Sequence, residues 1–227
     1  MLKICMPIFQ PTKNKQFLSP FGPSIGFFQM DKTLVNQLNS ILDKRLDELS
    51  DVKNKYNTNV IRKIRNNETK ELKFDNKVIS IIGNNLKFFL LEYFMFTETR
   101  RLLKNEYQPN NNYNFEIKTG WFVRQFENEY NPVHFHEDCR LSCVGYLKLP
   151  KKIEEEWNED SKDSLASNGY IQFIHGSKSD TDLTLMRVKP QIGDFYVFPS
   201  SLLHTVYPFY TSGERRSFSM NINFFKA

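Results

Sequence analysis

Four histidines occur in 227 residues, and three of them, His134, His136 and His204, fall in aromatic, strand-like segments near turns. In an extended strand, residues i and i+2 face the same side. His134 and His136 can therefore project together into one cavity, and Pro132 biases Asn131 toward the extended backbone this needs. Imidazole suits Fe, Zn, Cu and Ni alike, so ligand type alone does not choose a metal. The period of two also leaves two frames, because positions 134, 136 and 138 share a face. The pair is either His134 with His136, or His136 with Asp138.

His204 closes the stretch Gly193-Asp-Phe-Tyr-Val-Phe-Pro-Ser-Ser-Leu-Leu-His204, which reads as a turn, a buried strand, a proline break and a second strand. Beyond it, Arg215, Ser217, Ser219 and Asn221 alternate with Arg216, Phe218, Met220 and Ile222. One face of this last strand is polar within an apolar segment. A polar face turned into a barrel needs a polar partner, and a bound dicarboxylate would supply one. Arginine grips a carboxylate with a planar fork, and a hydroxyl two residues on can reach the same group. Arg215 with Ser217 has that spacing; Arg216, next along, is the alternative.

Short apolar and aromatic segments of the kind that build a sandwich or jelly roll carry these residues. They are Tyr113–Ile117, Trp121–Phe126, Leu141–Leu149, Tyr170–His175, Leu183–Val188, Phe195–Phe198, Leu202–Tyr207 and Ser217–Phe225, with Lys118-Thr-Gly120 read as one of the separating turns. The charged stretch Lys151–Asn168 reads as an exposed insertion. Before residue 113 the pattern is helical. Leu34, Val35, Leu38, Ile41, Leu42 and Leu49 predict a helix over 32–50, and Ile81 to Leu102 predict a second over 78–104. The centre of the second, Phe88–Phe96, is apolar all round and is expected to be buried. Residues 1–30 read as extended chain and turns, with a short β piece at Leu2–Met6. The expected organisation is thus 1–112, an extended segment with supporting helices, and 113–227, a double-stranded β-helix core.

With 40% apolar and 15% aromatic residues, including 21 Phe, the chain can bury a substantial core. No run approaches 18 consecutive apolar residues and the first ten lack a signal-peptide layout, so a cytoplasmic protein without a membrane partner is expected. Cys5, Cys139 and Cys143 make no disulfide framework and read as reduced thiols. The net charge of +5 permits nucleic-acid contact without requiring it.

Four segments together resemble the Fe(II)/2-oxoglutarate oxygenase superfamily. They are Asn131-Pro-Val-His-Phe-His136, Leu141-Ser-Cys-Val-Gly-Tyr-Leu147, Gly193 through Pro208, and Glu214-Arg-Arg-Ser217. They are especially similar to oxygenase-like proteins of phages and marine bacteria with an Asn-Pro-x-His-x-His motif, which would place the chain in a host cytoplasm. The resemblance covers about residues 113 to 225. It implies a mainly β, cupin-like jelly roll with flanking helices, and an iron site with His134 as first ligand and His204 as distal ligand. The usual motif has an acid two residues after the first histidine; here His136 stands there, and three neutral ligands leave the metal more positive. Arg215 and Ser217 would bind 2-oxoglutarate, with Tyr146 in the same pocket. The implied chemistry uses Fe(II), 2-oxoglutarate and O2, with ascorbate as a reductant, to hydroxylate a protein side chain such as proline, a nucleobase or a small molecule. The rival readings are a cupin-type dioxygenase that uses three histidines without 2-oxoglutarate, and a non-catalytic jelly-roll binding protein.

Overall fold

Alternating strands need two layers to cover their apolar faces, and the structure supplies them as two sheets. It is a computed structural model, and it describes residues 8–9, 14–18, 22–55, 70–102, 113–160, 167–177 and 184–226. In chain order the elements are β1 (Ile8–Phe9), β2 (Lys15–Leu18), β3 (Ile25–Gln29), α1 (Lys32–Lys55), β4 (Glu71–Lys73), α2 (Asn76–Leu102), β5 (Tyr113–Phe126), β6 (Asn131–His134), β7 (Leu141–Lys148), α3 (Ile153–Asp160), β8 (Ile171–Ile174), β9 (Leu185–Val188), β10 (Asp194–Pro199), β11 (Leu203–Val206) and β12 (Glu214–Lys226). One sheet has the order β1-β9-β8-β11-β6, the other β2-β3-β10-β7-β12-β5-β4. Apart from the parallel β1–β9 pair, the ladders are antiparallel.

The sheets face each other. Val144, Tyr146, Tyr196 and Phe198 of the larger sheet pack in one buried cluster with Ile171, Phe173, Met186, Val188 and Val206 of the smaller. This is the jelly-roll core expected from the segment pattern. The opposite face of the larger sheet carries Phe122, Phe195, Val197, Phe218, Met220 and Ile222, and the apolar sides of α1 and α2 cover it through Leu34, Leu38, Leu42, Val78, Ile82, Leu86, Leu90 and Tyr93. The alternation in β12 is thereby explained: even positions meet the helices, and Arg215, Ser217 and Ser219 face the space between the sheets. α2 begins at an Asp75 cap, whose carboxylate accepts the Val78 amide at 2.8 Å. That bond is the largest of the effects holding the acid below its usual range.

Several expectations are corrected. The first helix runs over Lys32–Lys55 rather than 32–50, and the second, Asn76–Leu102, begins two residues earlier than expected, with 103 and 104 outside the described residues. Phe88 is 64% exposed, because α2 lies on the outside of the sheet and only one side of it is covered. By length and composition Asn76–Thr97 would suffice to cross a bilayer; here its inner side packs on the sheet. Lys118-Thr-Gly120 is no turn but the middle of one 14-residue strand, β5. Gly120 is required for close approach instead: the Phe74 ring lies where its Cβ would stand, and the Phe74 amide donates to its carbonyl at 2.8 Å. The insertion contains a helix, α3, with three glutamates in its first turn, where the helix dipole favours them. Ile153 and Trp157 of α3 pack one turn apart against Tyr170 and Phe209. The N-terminal segment, read as extended chain and turns, contributes β2 and β3 to the large sheet, with β3 paired to β10. The β piece at Leu2–Met6, and Cys5, lie outside the described residues. Cys139 and Cys143 are both free thiols.

Asp194, at the start of β10, is buried and accepts hydrogen bonds from the Gln191 amide and the Tyr196 hydroxyl, each at 2.8 Å. Burial nevertheless pushes its carboxyl up to about 6. In the unfolded chain it titrates near ~3.9. Between those values the folded protein keeps a proton that the unfolded chain has released. This group's contribution to stability therefore falls as pH rises from about 4 to about 6, and is flat above. Asp194→Asn is expected to remove that slope, on the order of 3 kcal/mol across the window. Urea unfolding midpoints of both proteins at a series of pH values check it; parallel curves would refute it.

Candidate metal centre

β6 and β11 pair antiparallel with His134 directly opposite His204, and this register brings two of the histidines together. The third, His136, follows β6. Its amide donates to the Ser200 carbonyl at 2.9 Å, which ties the segment to the turn between β10 and β11. The ring centroids lie 4.2 Å apart for His134 and His204, and 5.2 Å from each of these to His136. One ligand atom from each ring lies within 4.8 Å of the other two. That is a compact, one-sided set of three donors, which can hold one ion and leave its other positions open.

The tautomers suit such a role. His134 Nδ1 lies 2.7 Å from the Pro132 carbonyl and His204 Nδ1 lies 2.9 Å from the Leu202 carbonyl. A carbonyl only accepts, so each Nδ1 carries the proton and each Nε2 keeps its lone pair. Such outer hydrogen bonds also fix ring orientation. Burial lowers His204 to about 3, with the neighbouring histidines adding to it, and burial followed by His134 lowers His136 to about 4. Both rings are therefore neutral near neutral pH.

Asp138, the alternative partner of His136, is exposed and adopts a positive φ of 59°. The left-handed residue breaks the alternation, so 138 does not share the face of 134 and 136. It lies outside the three-histidine group.

The histidines line a cavity of about 590 Å³ between the sheets, within the ~300–1,000 Å³ usual for small-molecule sites. Arg215, Ser217 and Tyr146 line it as well, so the structure brings all the residues predicted for the site into one space. Arg215 is 3% exposed. Its Nη1 donates to the Gly169 carbonyl at 3.0 Å and its Nη2 to Gln125 Oε1. Among the described residues Nε has no partner, and neither has the buried Tyr146 hydroxyl. The Arg215 guanidinium carbon stands 5.8 Å from the centroid of the Tyr146 ring. Desolvation lowers the Arg215 pKa, and burial pushes Tyr146 up to about 12 against the pull of the Arg215 charge. A buried donor without an acceptor costs free energy, and two in one cavity fit an anionic acceptor bound there. Arg216 points the other way, to Glu214 at 2.9 Å and to Asp43 of α1 at 2.7 Å.

Sequence reasoning missed Gln125 and Trp121. Both belong to the inward alternation of β5, and Trp121 lies 5.9 Å from the His136 ring. The alternation was visible, but not which residue of β12 each would face.

Residues 119–221 match the family model described as "Putative 2OG-Fe(II) oxygenase". No curated protein sequence matches the chain. Among solved structures, a Pseudomonas putida prolyl-4-hydroxylase is similar over 93% of this chain and 93% of its own, at 15% identity and a TM-score of 0.45. A viral collagen prolyl hydroxylase from Paramecium bursaria Chlorella virus-1, in complex with 2OG, is similar over 95% of this chain and 97% of its own, with 15% identity and a TM-score of 0.45. A 2OG-Fe(II) oxygenase family oxidoreductase from Burkholderia pseudomallei matches over 65% of this chain, at 12% identity and a TM-score of 0.40; the chain spans 56% of its length.

Proposed function

We propose that this chain, whose residues 119–221 match the model of the 2OG-Fe(II) oxygenase family, belongs to that family and is a 2-oxoglutarate-dependent dioxygenase of the hydroxylase type. His134, His136 and His204 hold the iron, and Arg215 takes the distal carboxylate of 2-oxoglutarate with Tyr146 and Ser217 beside it. The observation that carries the reading is that two residues lining the cavity of the three-histidine cluster, Arg215 and Tyr146, each have a buried polar atom, Nε and OH, with no partner among the described residues. When bound, Fe(II) and 2-oxoglutarate supply, with O2, the oxidation of a substrate C–H to C–OH, coupled to release of succinate and CO2.

The chain's own residues provide the setting. The Nδ1–H bonds of His134 and His204 aim their Nε2 atoms, and burial keeps His136 and His204 unprotonated and ready to ligate. Three neutral imidazoles add no negative charge, so the two negative charges of the cosubstrate would be met by the metal ion and by the Arg215 cation. Ascorbate would serve as the external reductant. The substrate would occupy the remainder of the cavity, which Trp121 lines; a prolyl or other protein side chain, a nucleobase and a small molecule are the classes proposed for it.

The test is anaerobic titration with Fe(II) and 2-oxoglutarate, followed by the weak visible charge-transfer band, and then succinate formation in air. Neither band nor succinate would sink the proposal. In the same assay, Asp138→Ala is expected to behave as the wild type and His136→Ala to lose metal affinity by more than the ~10–100-fold typical of an outer-sphere change. The reverse result would move the ligand frame to His136 and Asp138. A second reading, a three-histidine dioxygenase without 2-oxoglutarate, is favoured by the lack of a carboxylate in the ligand group. It predicts O2 consumption that 2-oxoglutarate does not stimulate.

A further inference from the structure

Arg215 is oriented by one neutral side chain. Gln125 of β5 lies directly opposite it in the β5–β12 register, and is itself 6% exposed. Its Oε1 accepts from Arg215 Nη2, while its Nε2 donates to the Glu129 carbonyl in the turn after β5. The amide cannot be turned over. A guanidinium offers only donors, and a backbone carbonyl only accepts, so each end of the amide has one possible occupant. The turn is held in its own right, since the Glu129 carboxylate accepts the Phe126 amide at 3.0 Å and binds Lys70. With Gln125 on Nη2 and the Gly169 carbonyl on Nη1, Nε is the guanidinium nitrogen left without a partner among the described residues.

We propose that Gln125 is a positioning residue for the cosubstrate: its neutral amide fixes the rotation of the Arg215 guanidinium, so that the Nε edge is kept for a ligand carboxylate and the positive charge stays uncompensated until that ligand arrives. The inference rests on the reading that Arg215 binds the distal carboxylate of 2-oxoglutarate. A carboxylate at position 125 would do the opposite of the amide. Gln125→Glu retains the shape but pairs its own charge with Arg215, in competition with the ligand, and sets an oxygen against the Glu129 carbonyl. Gln125→Met keeps the length and lets the fork rotate.

The experiment uses the full chain loaded with Mn(II) under nitrogen, and compares calorimetric affinities for 2-oxoglutarate and for 2-oxobutyrate, which keeps the keto-acid end but lacks the distal carboxylate. Wild-type protein is expected to prefer 2-oxoglutarate. Both variants are expected to lose affinity for 2-oxoglutarate by about tenfold or more, as for a lost hydrogen bond to a charged group, with Glu the worse. Affinity for 2-oxobutyrate is expected to stay unchanged in both. Melting curves identify a variant that does not fold, and Gln125→Glu, being isosteric, then carries the test alone. Equal losses for both ligands would mean a general disturbance of the pocket and would overturn the positioning role, as would a Gln125→Glu protein that binds 2-oxoglutarate like the wild type. A wild-type protein with no preference between the ligands would instead overturn the cosubstrate reading, and the role of Gln125 with it.

Discussion

His204→Ala is expected to abolish Fe(II) retention and succinate formation while leaving the protein folded. His204 is the most buried of the three histidines, at 5% exposure, and the only one in the interior of the smaller sheet, paired with both β6 and β8. Its removal takes one of three donors from a set that has no carboxylate in reserve. The two histidines that remain lie on one short segment and cannot close a facial site. The loss should exceed the ~10–100-fold that follows from weakening an outer partner. Folding should suffer far less. Burial already disfavours the charged form of the His204 ring, and alanine removes that buried ring while forfeiting its contacts with Phe173 and Phe198. Metal content after anaerobic reconstitution and desalting, succinate yield and a melting curve together make the measurement. A variant that keeps its iron would remove His204 from the ligand set, and absence of iron from wild type and variant alike would support the non-catalytic jelly-roll reading.

That prediction uses residues whose placement could largely be read from spacing. A histidine pair at i and i+2 needs only an extended backbone to converge, and the Gly193–His204 segment announces a strand, a break and a second strand. The face of Arg215 was also legible, because alternation with Phe218, Met220 and Ile222 assigns the odd positions to the other side. What period alone could not give was where an alternation stops. Asp138 satisfies the count, and only its left-handed backbone takes it off the shared face. Gly120 looked like punctuation but is a strand residue under a phenyl ring, a contact set by α2 being preceded by Phe74 far away in sequence. Phe88 belonged to an apolar helix centre, yet which side of a helix meets a sheet depends on tertiary packing. The N-terminal strands β2 and β3 are recognised by their partners rather than by their own composition, since a pairing to β10 is long-range. Gln125 is the plainest case: an uncharged residue in an ordinary strand acquires a role only through the register that sets it opposite Arg215.

Arg215→Met should raise the 2-oxoglutarate KM by about a hundredfold or more, with a smaller effect on kcat at saturation. The ligand carboxylate would leave water for a cavity that no longer holds its counter-charge, and breaking such a pair from one side costs about 2–5 kcal/mol. Stability of the ligand-free protein should change little, because the wild-type cation is itself disfavoured by desolvation and leaves Nε without a partner. Arg216→Met separates charge from position. Arg216 lies one residue away on the opposite face, bound to Glu214 and to Asp43 of α1, and Glu214 also holds Arg124 and Lys148. Its loss should lower stability by about 1–3 kcal/mol, as for a hydrogen bond to a charged group at a buried site, and leave the cosubstrate KM alone. Steady-state succinate formation against 2-oxoglutarate concentration, with urea unfolding of each apoprotein, gives both numbers. If Arg216→Met raises the KM and Arg215→Met does not, the grip belongs to the other arginine, and the two orphaned donors between the sheets lose the ligand assigned to them.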